Sequence, residues 1–152
     1  MAVEPTAETI RSHSPAQTAE IAARMAARLL PGDVVLLAGE LGSGKTTFVR
    51  GAARALGVSG PVTSPSYAIG NIHAGDGVDV AHLDLYRLDK LEVSDEAVVE
   101  DFLGPKRITF IEWPHDEFAR LGDVRAVVTL SHAGGDDREI AVEWREQSGA
   151  HA

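Results

Sequence analysis

The chain contains no cysteine, so neither a disulfide frame nor a thiolate metal site can brace it. That absence fits a reducing, cytoplasmic setting. No apolar run reaches the roughly 20 residues that a bilayer-spanning helix needs. Residues 1–9 carry Glu4 and Glu8 and lack the basic start and apolar centre of a secretory leader, so none is expected. Positive charge is also scarce. There are 14 Lys and Arg against 23 Asp and Glu, a formal net charge of −9. A chain that gripped nucleic acid alone would carry a basic face. The arginines here are scattered, so contact with RNA is expected only indirectly, through a partner. Asn71 is the single asparagine and Ile72 follows it, so the Asn-Lys-x-Asp element that reads guanine in GTPases is missing. Lysine is limited to Lys45, Lys90 and Lys106.

One of those three lysines falls in Gly39-Glu40-Leu41-Gly42-Ser43-Gly44-Lys45-Thr46-Thr47. This stretch reads G-x-x-x-x-G-K-[ST], the phosphate-binding loop. The run before it, 33–38, is short, apolar and β-branched, as a strand buried on both faces must be. The run after it, 45–56, reads as a helix that Gly57 ends in a left-handed cap. A triphosphate is a dense anion. Inward-turned backbone N–H groups at a helix N-terminus can hold it, provided that no side chains block the approach. Gly39, Gly42 and Gly44 keep the backbone bare, and Glu40, Leu41 and Ser43 complete the wrap. Lys45 would reach the β- and γ-phosphates, the Thr46 hydroxyl would sit on Mg²⁺, and Thr47 would touch a phosphate. The bland reading is a glycine-rich turn with an incidental lysine. Four fixed positions arise by chance in about one of several hundred such chains, and the flanking strand and helix make that rarer.

At 152 residues, with 44% hydrophobic and 24% charged content, the composition is that of one ordinary globular domain over 1–152, with a loose tail at 146–152. Ala7–His13 carries a weak strand signal. Ser14-Pro15-Ala16-Gln17 is a helix start, with Ser14 as N-cap and Gln17 completing a capping box. The helix runs on through the core stripe Ile21, Met25 and Leu29 and stops before Pro31-Gly32. Phe48, Ala52 and Leu56 face inward on the second helix, while Arg50 and Arg54 are solvated. Val58–Ser66, with two prolines and several hydroxyls, is a loop. Thr63, Ser64 and Ser66 could reach a γ-phosphate or Mg²⁺, or could merely hold a turn.

Two strands, Tyr67–His73 and Val78–Leu85, form a hairpin about Gly75-Asp76-Gly77. Alternation puts His82, Asp84 and Tyr86 on one side and Leu83 and Leu85 on the other. Asp84 either orders water or metal or caps the next turn, and His82 reads as a surface or core imidazole. Glu92, Asp95, Glu96, Glu100 and Asp101 surround a short helix with Ser94 as N-cap. They read as a solvated face. Arg107–Glu112 is a second buried strand, and its terminal carboxylate stands where a phosphate-loop hydrolase needs an acid to hold Mg²⁺ or orient water. Val124–Ser131 and Arg138–Trp144 read as a structural antiparallel hairpin, with Val124, Ala126, Val128 and Leu130 on one face.

Three function classes fit a phosphate loop: a GTPase, a small-molecule kinase and an accessory ATPase. The first lacks its guanine motif. The second usually carries an arginine-rich lid, which is absent apart from Arg87. The third needs only the loop, a metal carboxylate and a switch segment. A non-catalytic role, with nucleotide as assembly glue, stays open.

The phosphate loop, Thr63-Ser64-Pro65-Ser66-Tyr67, His82-Leu83-Asp84-Leu85-Tyr86-Arg87-Leu88 and Ile111-Glu112-Trp113-Pro114 together resemble the ordered motifs of the TsaE (YjeE) family, over roughly residues 10 to 145. The resemblance implies an α/β fold: a P-loop NTPase-like three-layer sandwich with a mainly parallel central sheet and antiparallel edge strands. It also implies ATP and Mg²⁺, and work beside TsaD and TsaB in tRNA threonylcarbamoyladenosine biosynthesis. By the same likeness Thr46 and Glu112 would hold the metal, Asp84 would assist hydrolysis, and Trp113 would lie near the nucleotide. Ser66-Tyr67 and His115 depart from the family's commoner residues.

Overall fold

The structure is a computed structural model that describes residues 6–40, 42–63, 69–85, 93–112 and 124–145. The apolar run ahead of the glycine loop forms β2 (Val34–Gly39), and Val34 to Leu37 are all buried. Such a strand has to be covered on both faces, and it lies at the centre of a seven-stranded sheet. The elements in chain order are β1 (Thr6–Ser12), α1 (Pro15–Ala26), β2, α2 (Lys45–Ala55), β3 (Gly70–Ala74), β4 (Asp79–Asp84), α3 (Val93–Phe102), β5 (Arg107–Glu112), β6 (Ala126–His132) and β7 (Arg138–Trp144). The strand order is β1-β7-β6-β2-β5-β4-β3. The inner four, β6, β2, β5 and β4, are mutually parallel. The outer strands β7, β1 and β3 pair antiparallel to their neighbours.

Side-chain alternation along these strands separates two cores. On one face Val35, Leu37, Val80, Ile108, Phe110, Val128 and Ile140 pack against Ile21 and Met25 of α1 and Phe48, Val49 and Ala52 of α2. On the other face Leu36, Ala81, Leu83 and Ile111 meet Val99 of α3. The result is the expected three-layer α/β sandwich, with parallel centre and antiparallel edges. No helix among the described residues is long and apolar enough to cross a membrane.

Local signals set most element ends. Ser14 Oγ accepts the Gln17 backbone N–H at 3.1 Å, as an N-cap should. The reciprocal half of the box is displaced by one residue, because Gln17 Oε1 accepts from the N–H of His13 rather than that of Ser14. Gly57 adopts φ +92 after α2, and the N–H groups of Gly57 and Val58 close on Arg54 and Ala53 in a Schellman pattern. Other expectations need correction. The helix assigned an N-cap at Ser94 already begins at Val93, so Ser94 lies within it. Val124 precedes β6 and joins the core on the α3 side, not the face of Ala126, Val128 and Leu130. Arg50 is not merely solvated: its Nε donates to Val62 O at 2.7 Å and ties the 58–63 loop to α2. Glu100 and Asp101 are exposed, as a solvated acidic face predicts.

Candidate functional site

The phosphate-binding signature lies where β2 gives way to α2. Gly39 is demanded by contact: a Cβ there would stand 2.5 Å from Leu130 O and 2.7 Å from Ser43 Oγ. At Gly42 and Gly44 the demand is dihedral, with φ of +77 and +103. Gly44 is also the N-cap of α2 and contributes no side-chain cap, so it puts nothing bulky of its own over the positive end of the helix dipole. The Ser43 N–H donates to Glu40 O at 3.0 Å. The buried Ser43 Oγ has no partner among the described residues. The Lys45 ammonium folds back over the loop and donates to Gly39 O at 2.8 Å and Glu40 O at 3.0 Å.

Sheet register brings the two predicted carboxylates to this loop. Glu112 ends β5 and pairs with Leu37 of β2 on one side and with Asp84 of β4 on the other. The carboxyl ends of three neighbouring parallel strands therefore open side by side, which is where ligands settle in open α/β sheets. His82, Asp84, Phe110 and Glu112 all point to the face carrying α1 and α2. Burial pushes the Lys45 ammonium below its usual 10.5, and the nearby Glu112 and Asp84 carboxylates oppose that shift. Lys45, Glu112 and Asp84, separated by up to 67 positions in sequence, thus form one electrostatic group.

His82 is more than an indifferent imidazole. It is fully buried, and its Nε2 lies 2.7 Å from Glu112 Oε2. With Glu112 ionised, the carboxylate accepts and Nε2 carries the proton. The alternation of β4 had already put His82 beside Asp84. Its bond to Glu112 is invisible in the sequence because it depends on β4 lying next to β5. Arg138 was missed altogether. It opens β7, and its guanidinium donates to Gly42 O and Ser43 O, both at 3.2 Å, from a hairpin read as only structural. No local sequence signal marks that contact.

The remaining predicted residues are placed as follows. Thr46 and Thr47 are half-buried in the first turn of α2, Glu40 and Gly42 are exposed on the loop, and Thr63 is exposed at the end of its segment. Leu41, Ser64, Ser66, Tyr86, Arg87, Trp113 and the 146–152 tail lie outside the described residues. No cluster of three or more His, Asp or Glu among the described residues forms a ready cation cage. Mg²⁺ at nucleotide sites does not need one, since one or two carboxylates plus phosphate oxygens and water hold it. A glycine cradle, a buried orphan hydroxyl, one ammonium and two carboxylates fit Mg-nucleotide chemistry.

Residues 12–140 match the sequence model of the family described as threonylcarbamoyl adenosine biosynthesis protein TsaE. The tRNA threonylcarbamoyladenosine biosynthesis protein TsaE of Bacillus subtilis is 34% identical over 130 residues, covering 86% of this chain and 81% of that protein. Its Streptomyces coelicolor counterpart is 38% identical over 119 residues, covering 77% and 80%. The crystal structure of Bacillus subtilis YdiB superposes with a TM-score of 0.74 at 31% identity, over 94% of this chain and 88% of that one.

Proposed function

The chain belongs to the TsaE family, and so to tRNA threonylcarbamoyladenosine biosynthesis, and from that premise we propose that it works there as a Mg²⁺-dependent ATPase alongside TsaD and TsaB. The observation that carries this reading is the grouping of Lys45 with Glu112 and Asp84 at the mouth of the glycine loop. Lys45 would exchange the Gly39 and Glu40 carbonyls for phosphate oxygens, because an ammonium gains more from an anion than from a neutral acceptor. Thr46 and Glu112 are the residues that would hold Mg²⁺, which when bound neutralises charge on the β- and γ-phosphates. His82 occupies one oxygen of Glu112 and fixes its orientation. Asp84, register partner of Glu112, would turn a water toward the γ-phosphate.

Among the described residues, positive charge for the transition state is meagre. The Arg138 guanidinium is taken up by backbone carbonyls, and Lys45 is the remaining cation that the described loop brings to the phosphates. Hydrolysis by the chain alone is therefore slow, and partner proteins accelerate it.

Calorimetric titration with Mg-ATP, together with phosphate release measured with and without TsaD and TsaB, tests this. Wild-type protein binds, and Lys45→Ala weakens binding by about 30-fold or more, the cost of losing one member of a desolvated charge pair. Release rises when the partners are added. Unaltered affinity in the variant would remove the loop from the site, and release that ignores the partners would remove the complex from the mechanism.

A further inference from the structure

Arg138 stands at the start of β7, 95 positions from Ser43 in sequence, yet it is bonded to the phosphate-binding loop. Its Nε donates to Ser43 O and its Nη2 to Gly42 O, each at 3.2 Å. Its Nη1 donates to Gly135 O at 2.8 Å and to Asp137 O at 2.9 Å. Four carbonyls thus surround a group with five N–H donors in a rigid plane. Two belong to the loop and two to the β6–β7 turn.

The turn is itself held. The Asp137 N–H reaches Gly134 O at 2.8 Å and the Ala133 N–H reaches Asp137 O at 3.0 Å. Arg11 of β1 donates to Ala133 O at 3.1 Å and pairs with the Asp137 carboxylate at 3.7 Å. His13 Nδ1 lies 3.1 Å from the other oxygen of that carboxylate. The guanidinium is thus anchored to a braced turn, not to a freely swinging side chain.

The consequence for the loop follows from peptide planarity. In a trans peptide the C=O and N–H point in opposite directions. Drawing Ser43 O toward Arg138 turns the Gly44 N–H away from it, and drawing Gly42 O does the same to the Ser43 N–H, which Glu40 O accepts at 3.0 Å. The Lys45 ammonium bonds a different pair of carbonyls, those of Gly39 and Glu40. From this geometry we infer that Arg138 is a positioning residue for the polyphosphate. It fixes the peptide planes at Gly42-Ser43-Gly44 from behind, so that the loop is formed before the anion arrives, and it sets a positive charge behind them. The inference rests on the nucleotide-binding reading and deepens it. The guanidinium touches neither the phosphates nor the reacting water.

The test compares wild type, Arg138→Ala and Arg138→Lys. Affinity for Mg-ADP and Mg-ATP is measured by calorimetry, and backbone hydrogen exchange is measured on the unliganded proteins. Arg138→Ala weakens both nucleotides by about 10- to 100-fold, the range for losing charge-assisted hydrogen bonds. Arg138→Lys recovers part of that loss, because it keeps the charge and loses the fork. Exchange rises at residues 42–44 and stays unchanged in β2. Wild-type affinity in Arg138→Ala would overturn the inference alone, leaving nucleotide binding intact. Exchange rising throughout β2 together with the loop would also overturn it, showing a general brace of the fold. A wild-type protein that binds neither nucleotide would instead overturn the reading beneath it.

Discussion

Glu112 is a carboxylate in a nearly closed site, only 4% exposed, and the His82 imidazole is the donor that makes its burial tolerable. An ionised carboxylate stripped of its donor in such surroundings loses about 1.5–3 kcal/mol. His82→Ala should therefore lower unfolding free energy by about that amount in urea titrations. His82→Gln, which can present an N–H along a similar path, should recover part of it. If the alanine variant is as stable as wild type, the 2.7 Å contact contributes nothing and His82 is filler. The same variant should slow Mg-dependent phosphate release more than it weakens Mg-free nucleotide binding. On the proposed function His82 acts through the carboxylate that would hold the metal, whereas Lys45 and the loop amides would act on the phosphates. Arg138 is the other residue whose role lies in holding a neighbour.

The helices α1 and α2 pack in close contact, and Gly51 is the reason that they can. A Cβ at Gly51 would lie 2.3 Å from Ala19 O and 2.6 Å from Ala19 Cα, both backbone atoms that cannot swing aside. Two effects oppose each other in Gly51→Ala. Helix propensity favours alanine by about 1 kcal/mol. Forcing a methyl into a filled helix crossing costs about 1–3 kcal/mol. Overpacking wins because the obstruction is main chain, so the variant should unfold at lower denaturant than wild type. A gain in stability would mean that the two helices can separate at no cost. Since α2 carries Lys45, Thr46 and Thr47 at its start, such a shift would also move the loop against Glu112.

At the scale of the molecule, the site belongs to no single element. The loop joins β2 to α2, Glu112 ends β5, Asp84 ends β4, and Arg138 reaches in from β7. A polyphosphate held there contacts or is framed by most of the sheet, so its binding free energy adds to the stability of the whole fold. At a hundred times its dissociation constant, Mg-ATP should add about 2.7 kcal/mol. For a chain of this size that raises the melting temperature by roughly 5–11 °C. Lys45→Ala should show almost none of this rise. A wild-type melting point indifferent to Mg-ATP would contradict the proposed ligand. The net charge of −9 acts at this scale too, opposing direct association with a polyanion such as tRNA.

The boundaries of β2, α2 and β7 and the start of α1 were legible because period, capping residues and glycines are local properties, carried by neighbours in the chain; α1 itself ends at Ala26, short of the Pro31-Gly32 stop that its apolar stripe suggested. The loop, its ammonium and the two strand-tip carboxylates were legible for the same reason. By itself the sequence determined which groups could meet a phosphate and on which face of its own strand each would stand. Only the tertiary structure decided that β5 lies between β2 and β4, and therefore that Glu112 meets Asp84 and His82. The same holds for Arg138, which reaches Gly42 and Ser43 from 95 or more positions away. Strand order and side-chain reach are settled by packing the whole sheet against its helices, a condition no stretch of neighbouring residues contains.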